Sequence, residues 1–491
     1  MNDRLSKNEK TLLAGLAFLT LYNASSFVKS RFKRLNEPPT IPFSLPIVGH
    51  TLYMILGHNK FIDWCSKNYG DMYSLNLFGE KVTVTGGKAG EETLKAPRED
   101  ISIHQGVIVD VLHLDYILSH DTLKLGEDIL PIIAKGLLPN SKMPGYLPSV
   151  KGGFKRAQKD MFNSNGPTYV SHPSTFLQNF VSYMSVPTLV GEEFKDNLDI
   201  IKSFAESTGD CVKNVPFYIL FPRFMHPLFA TFNSPGKKHT KIMEKYVEPV
   251  VHQYREDPNF GNKDTFIAAY SRYRNEDGEY LPSQQVAHSI ILVAFASVHT
   301  TSRNVSATLY WLLARPELLK KLMDEIELVF PNNAPITHEA LEKMTFLNDL
   351  LKEVLRQAVS NIGSRKMAIK DYTYYNGLQV PKGRPLYVTS RQMNFGLNMN
   401  RLGTDAMDPS KSMQKAITAP SRDYVSFGMG KHICPGRFFA TQEIKFALIE
   451  LLRNYEVKVQ SGKRPIPYHD LMGMNPRNCE DPLVFTPRGS F

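Results

Sequence analysis

The stretch from Pro282-Ser283 to about Ala314, stopped by Arg315-Pro316, constrains the fold of this chain more than any other. Its helical pattern runs for about thirty residues, and its middle, Ile290–Ala296, is almost wholly apolar. A helix that is hydrophobic all round has to be wrapped by other protein, and the continuous apolar run is too short to span a bilayer. The chain must therefore supply a large core. With 491 residues, 42% hydrophobic and 11% aromatic against 22% charged, it has the means. Length alone admits roughly three average domains, but after about residue 50 neither a repeat nor a long polar linker divides the sequence. One large body is expected.

The remaining patterns make that body mainly α with a minor β portion. Met72–Leu77 and Lys81–Thr85 read as strands around Phe78-Gly79-Glu80, and Tyr372–Tyr375 and Leu378–Val380 as a second strand-like pair around a Gly turn. Helices are expected at Phe346–Ala358 and Phe438–Asn454; in the latter Ala440, Ile444, Ala447, Leu448 and Leu451 share one face. The four cysteines, Cys65, Cys211, Cys434 and Cys479, are far apart with no CxxC among them. That argues against a disulfide scaffold, a zinc ribbon and covalent c-type haem attachment. The net charge of +10 is scattered in short clusters at Lys29–Arg34, Lys151–Lys159 and Lys237–Lys245. Such scatter disfavours nucleic acid as a partner and favours an anionic membrane surface or an acidic protein.

Thr11–Val28 is the only stretch that could cross a membrane, at about eighteen residues and roughly 27 Å of helix. A retained anchor is expected. A cleaved signal peptide has a poor cleavage pattern here, because Tyr22 falls two residues before Ala24, and a short interfacial segment is the other rival. Basic residues flank the stretch on both sides, so charge does not set its orientation. The prolines of Pro38–Gly49 then prevent a helix and read as a stiff spacer. The expected organisation is an anchor with its basic flank over 1–37, a proline-rich hinge over 38–49 and one domain over 50–491.

Chemistry concentrates at Phe427-Gly428-Met429-Gly430-Lys431-His432-Ile433-Cys434-Pro435-Gly436. Cys434 lies just before a helix, in a glycine-rich loop beside two basic residues, and both a positive environment and a helix N-terminus stabilise a thiolate. Glycines there let backbone approach a large flat ligand. A cysteine nucleophile would need a base, and His432 is near only in sequence. A phosphate loop fails, because neither GxxxxGK nor GxGxxG is matched.

This run resembles the haem-binding loop FxxGxxxCxG of the cytochrome P450 superfamily, and Cys434–Ala440 is similar to fungal members. The resemblance covers about residues 38 to 491. It implies the cytochrome P450 fold, one large haem domain behind the anchor, and haem b held by Cys434 as the thiolate on iron, with Phe427 and Gly436 in the binding loop. Glu353-Val354-Leu355-Arg356 resembles the family's ExxR, whose spacing puts both side chains on one helical face. The resemblance implies a buried clamp on the segment before the cysteine, with Lys411 where the third member is usually Arg; lysine cannot make the same bidentate contact.

Ala296–Ser302 resembles the family's oxygen-activation segment, with Thr300 at the alcohol position, Ser297 in place of the usual Gly and His299 in place of the usual acid. His299 is either a proton relay or a structural residue. The resemblance further implies haem propionates held by His432, Arg365 and, from an earlier helix, Lys135. An apolar substrate pocket is expected from Val111, Leu112, Ala294, Ser297, Ile362 and Met474.

The implied reaction is insertion of one oxygen atom from O2 into a hydrophobic substrate, a steroid or terpenoid first and a fatty acid or xenobiotic second. No flavin or NAD fingerprint occurs in the chain, so electrons are expected from NADPH through a separate flavin enzyme, NADPH–cytochrome P450 reductase, with cytochrome b5 as a second donor. Lys431 and Arg437 are expected to meet its acidic surface. The expected location is the endoplasmic reticulum membrane, with the catalytic domain cytosolic. A haem-thiolate isomerase or dehydratase, and a non-catalytic haem sensor, are the other readings.

Overall fold

The computed structural model describes residues 35–45, 48–221, 223–232, 234–358, 361–396, 407–412, 416–471, 473 and 475–489. The expected anchor, Thr11–Val28, lies outside the described residues. Among those described, no helix is long and apolar enough to cross a membrane.

The helices that build the site are α1 (Thr51–Tyr69), α2 (Met143–Met161), α3 (Pro173–Ser185), α4 (Leu198–Val212), α5 (Lys237–Tyr246), α6 (Ser283–Ala314), α7 (Thr345–Gln357) and α8 (Arg437–Asn454). The long apolar pattern is α6, and α3, α4, α5, α7 and α8 all pack on it. Its buried apolar residues, from Val286 through Trp311 to Leu312, belong to one continuous core that reaches from Leu112 to Phe485. Segments distant in sequence thus close around a single helix, as all-round hydrophobicity demands.

Polar groups inside this bundle are tied to particular partners. Asp210 on α4 and His239 on α5 lie 3.1 Å apart, with Ser203 Oγ 2.9 Å from the other ring nitrogen, and all three are buried. Where α8 meets α3, Ser185 Oγ–H donates to Glu443 Oε1 at 2.8 Å. Glu443 is fully buried and its second oxygen has no partner among the described residues; burial pushes its carboxyl up to about 8, against the Ser185 hydrogen bond.

The main sheet contains β1 (Met72–Leu77), β2 (Glu80–Thr85), β3 (Ile101–Ser102), β4 (Gly363–Ala368) and β5 (Pro385–Val388), in the order β1-β2-β5-β4-β3. Leu77 pairs with Glu80 across Phe78-Gly79, both at positive φ (50° and 77°), a two-residue turn whose twist suits the strands it joins. β2 and β5 run parallel, while β4 is antiparallel to β5 and β3, with a register shift between Gly363 and Lys366. A smaller core under α1, with Ile62, Leu75, Val84 and Ile362, backs this sheet.

The proline-rich segment is not a free spacer. Ser74 N–H donates to Pro39 O at 2.9 Å and Ile41 N–H to Ser74 O at 3.0 Å, which lays the segment along β1. Further on, Gly49 bridges to Leu45 and to Leu77. Ahead of it, Glu37 pairs with Lys81 and Arg384, each at 2.9 Å, and Asn36 N–H donates to Gln379 Oε1 at 3.1 Å. Prolines are tolerated at a sheet edge, where the missing donor is not needed. Proline density forbids helix without saying whether an open edge lies near, so the sequence does not display this attachment.

Candidate functional site

The site is assembled where α8 begins. Cys434 N–H donates to Phe427 O at 2.8 Å and closes the loop. Gly430, at φ 60°, passes so near Lys95 that a Cβ would stand 3.0 Å from its Cα. Gly436 is the N-cap of α8, and its backbone N–H reaches the Cys434 sulfur. Arg437 donates to Cys434 O at 3.0 Å and to Thr418 O at 3.1 Å. Burial pushes the Cys434 thiol up, while the Gly436 amide and the Arg437 charge pull it down. Phe427 is half-buried against the main core.

The Glu353–Arg356 pair clamps the segment ahead of this loop. Arg356 Nε stands 3.2 Å from Glu353 Oε2, both side chains are buried, and Gln357 Nε2–H donates to Glu353 Oε1 at 3.4 Å. From the same guanidinium, Nη1 donates to Asn394 O at 3.0 Å and to Asp423 O. Asn394 in turn accepts the Val425 N–H at 2.9 Å, and Ser426 Oγ–H donates to Leu355 O at 3.0 Å. The backbone of Lys411 lies in a short turn, Pro409–Ser412, packed on α7; its side chain is outside the described residues.

Across the loop from the sulfur is a cation cluster that the sequence reading placed only in part. His432 Nε2–H donates to Ala96 O at 2.9 Å, and its buried Nδ1 has no partner among the described residues. Burial, then the charges of Lys366 and Arg98, hold this ring down at about 4. Burial and Arg98 also lower Lys366, to about 8. Among the described residues no carboxylate pairs with any of the three.

Arg365 is not in this cluster. Neighbours on a strand face opposite sides; Lys366 takes the side toward His432, and Arg365 is bound to Glu80, Asp110 and Tyr387. Lys135 is exposed, because its helix, Leu130–Leu137, turns Ile133, Ala134 and Leu137 inward. The basic residue from earlier in the chain is Arg98. Strand alternation beside Arg365 was the signal that could have found Lys366; nothing local marks Arg98.

On α6, Ala296 and Thr300 are exposed one turn apart in the middle of an otherwise wrapped helix. Thr300 Oγ1–H donates to Ala296 O and Ser297 Oγ–H to Val293 O, each at 2.8 Å. His299 is turned onto α3, where Gln178 Nε2–H donates to its Nδ1 at 3.2 Å; burial and Arg303 hold the ring neutral. It is not brought together with Thr300. Of the expected pocket residues, Ala294 and Leu112 are buried in the main core and Ile362 in the smaller one, its N–H bonded to Gly473 O at 2.9 Å. Apolar residues at helical and strand spacing fill cores first, and these three do so here. Val111 is half-buried, and Met474 lies outside the described residues.

A thiol at a helix N-terminus, in a loop whose neutral His432 lies beside Lys366 and Arg98, suits a flat ligand carrying a metal and carboxylates. The groups present fit haem: one sulfur donor for iron, and cations for the two propionates. Among the described residues no group of three or more His, Cys, Asp or Glu is placed to hold a metal by itself.

The family described as Cytochrome P450 matches residues 38–480. Cytochrome P450 monooxygenase atmQ of Aspergillus flavus is 29% identical over 320 residues, covering 60% of this chain and 59% of its own length. The same identity to paxQ of Penicillium paxilli covers 57% of that protein, so the matches span less than two thirds of these two relatives. Eburicol 14-alpha-demethylase of Uncinula necator is 25% identical over 465 residues, 89% of this chain and 87% of the relative. The solved structure of retinoic acid bound cyanobacterial CYP120A1 superposes with a TM-score of 0.68 at 18% identity, over 92% of this chain and 99% of that one, a likeness of fold. The matched span contains the sulfur loop, the buried clamp and the cation cluster, and the chain belongs to the cytochrome P450 family, whose cofactor is haem.

Proposed function

We propose that the protein is a haem-thiolate monooxygenase that inserts one oxygen atom from O2 into a hydrophobic substrate, with a steroid or terpenoid as the substrate class. The observation that carries the reading is Cys434, capped by the Gly436 amide and Arg437 at the start of α8, in a chain whose buried helix α6 leaves Thr300 exposed at its middle. Haem, when bound, supplies activation of dioxygen at its iron. The chain's own groups do the rest. Gly436 N–H and Arg437 favour the thiolate against the burial that opposes it, and an iron on the sulfur would complete the deprotonation. His432, Lys366 and Arg98 neutralise the propionates; a carboxylate beside His432 raises its proton affinity, so that Nδ1–H becomes a donor. Thr300 holds a proton at Oγ1 on the open stripe, with the half-buried Ser297 one turn-face away, and His299 braces α6 against α3. The eburicol demethylase among the relatives supports a sterol-like substrate; fatty-acid or xenobiotic oxidation is the second choice.

Electrons come from NADPH by way of a separate flavin reductase, with cytochrome b5 as a second donor, docking near the exposed Lys431 and the half-buried Arg437. The haem domain takes in 50–491 together with the edge segment from Asn36. Residues 1–37 carry the anchor in the endoplasmic reticulum membrane, the domain facing the cytosol. Exposed apolar side chains at Phe43, Ile55 and Leu56, and at Phe224 and Phe232, support contact with lipid.

The test is the carbon monoxide difference spectrum of the reduced, haem-loaded protein. A red-shifted Soret band that disappears in Cys434→Ala is expected; a folded, haem-loaded wild type without it defeats the reading. NADPH-coupled O2 consumption with a purified reductase then separates a monooxygenase from an isomerase or a sensor.

A further inference from the structure

Arg365 has no place in the cation cluster, yet it is among the most heavily bonded side chains of the sheet. Its guanidinium donates to Tyr387 Oη at 3.0 Å and, from both Nη atoms, to Glu80 Oε2 at 3.1 and 3.2 Å. Nη2 also donates to Asp110. Glu80 is 41% exposed, so water weakens that leg; Arg365 and Asp110 are 11% and 4% exposed, and their pair is the sheltered one.

Asp110 ends the π-helical turn His104–Val109, and its N–H donates to the carbonyls of Gln105 and Val107. The chain continues with Leu112 N–H on Val107 O at 3.0 Å and then reverses at His113, which is left-handed at φ 50°. Gly106 in the same turn presses on β4: a Cβ there would stand 2.6 Å from the Lys366 backbone. The turn is thus laid on the strand that carries Lys366, and Arg365, the residue before, pins its end. Val107, Ile108 and Val111 are half-buried on it. π-turns are rare and short, and this one carries an outside tie at its end.

We propose that Arg365 is a positioning residue for substrate recognition: through its ion pair with Asp110 it fixes the π-helical turn, and with it Val111, as an apolar wall beside the haem. The proposal rests on the haem-thiolate reading above.

The test uses the haem-loaded full chain and two iron-binding probes followed by Soret difference spectra, imidazole, which needs only the iron, and clotrimazole, which fills the space around it. Arg365→Gln, Asp110→Asn and the double variant are compared with wild type. Each single change weakens clotrimazole about tenfold, the scale of one charge-assisted hydrogen bond, and moves imidazole by less than about twofold. The double variant is no worse than the worse single one, because both remove the same tie. Unchanged clotrimazole affinity in Asp110→Asn overturns the proposal, as does imidazole weakening in step. If Arg365→Gln does not fold, Asp110→Asn decides alone, since it leaves Arg365 with Glu80 and Tyr387. The carbon monoxide band separates the two readings: absent in wild type, the haem-thiolate reading has failed; present with flat clotrimazole titrations, only the role of Arg365 has.

Discussion

Two adjacent residues on β4 divide the work that one was expected to do. Arg365 holds carboxylates and Lys366 faces His432, and which faces which depends on a register shift between Gly363 and Lys366. Strand alternation separates the two residues, but nothing in the local sequence announces such a bulge, which is what fixes the face that each one takes. Cys434, Glu353 and Arg356 were legible because their motifs are local and dense. The sequence leaves His299 open between two roles, and its Nδ1 meets Gln178, 121 residues away. Lys366→Met removes a buried cation that has no carboxylate of its own; haem transfer to apomyoglobin is expected to speed up about tenfold, the scale of one charge-assisted contact. Thr300→Val should leave haem spectra intact while NADPH and O2 are consumed with little product, as measured by comparing NADPH oxidation with product formed.

Among the elements, the helices were read closely. The apolar periodicity marks α6, α7 and α8 to within a residue at each end, because a 3.6-residue pattern and a stop such as Arg315-Pro316 are both local signals. The second strand pair shrank to Tyr372–Thr373 and Gln379–Val380, since pairing needs a partner and not only β-favouring residues. α7 bears the clamp, and its position fixes the Asp423–Ser426 segment by backbone carbonyls and amides that no sequence pattern displays. Arg356→Leu strands Glu353 in the interior; a loss of about 3–5 kcal/mol is expected in urea unfolding, the usual cost of removing one partner of a buried pair. The Asp423 and Asn394 carbonyls lose their donor as well, so the Cys434 loop should loosen and the carbon monoxide band shift toward that of a neutral thiol.

Over the whole molecule, titration of one buried acid links the helix behind the sulfur to the rest of the bundle. Burial raises Glu443 to about 8 from an ordinary 4.5, so the folded chain keeps a proton that the unfolded chain releases. Its contribution to stability is full below about 4.5 and is lost as pH rises through about 8. Glu443→Gln should therefore flatten the fall in urea midpoint between about pH 5 and pH 8, and a slope equal to wild type would show that another group is responsible. The edge bonding of residues 36–49 has a mechanical consequence at this scale. A slack leash lets a body tumble about its tether, whereas a chain that departs along a stitched sheet edge transmits torque. Added residues before Asn36 would change reach but not heading. A pull applied at Asn36 is therefore felt along the sheet edge, as a tiller turns a rudder.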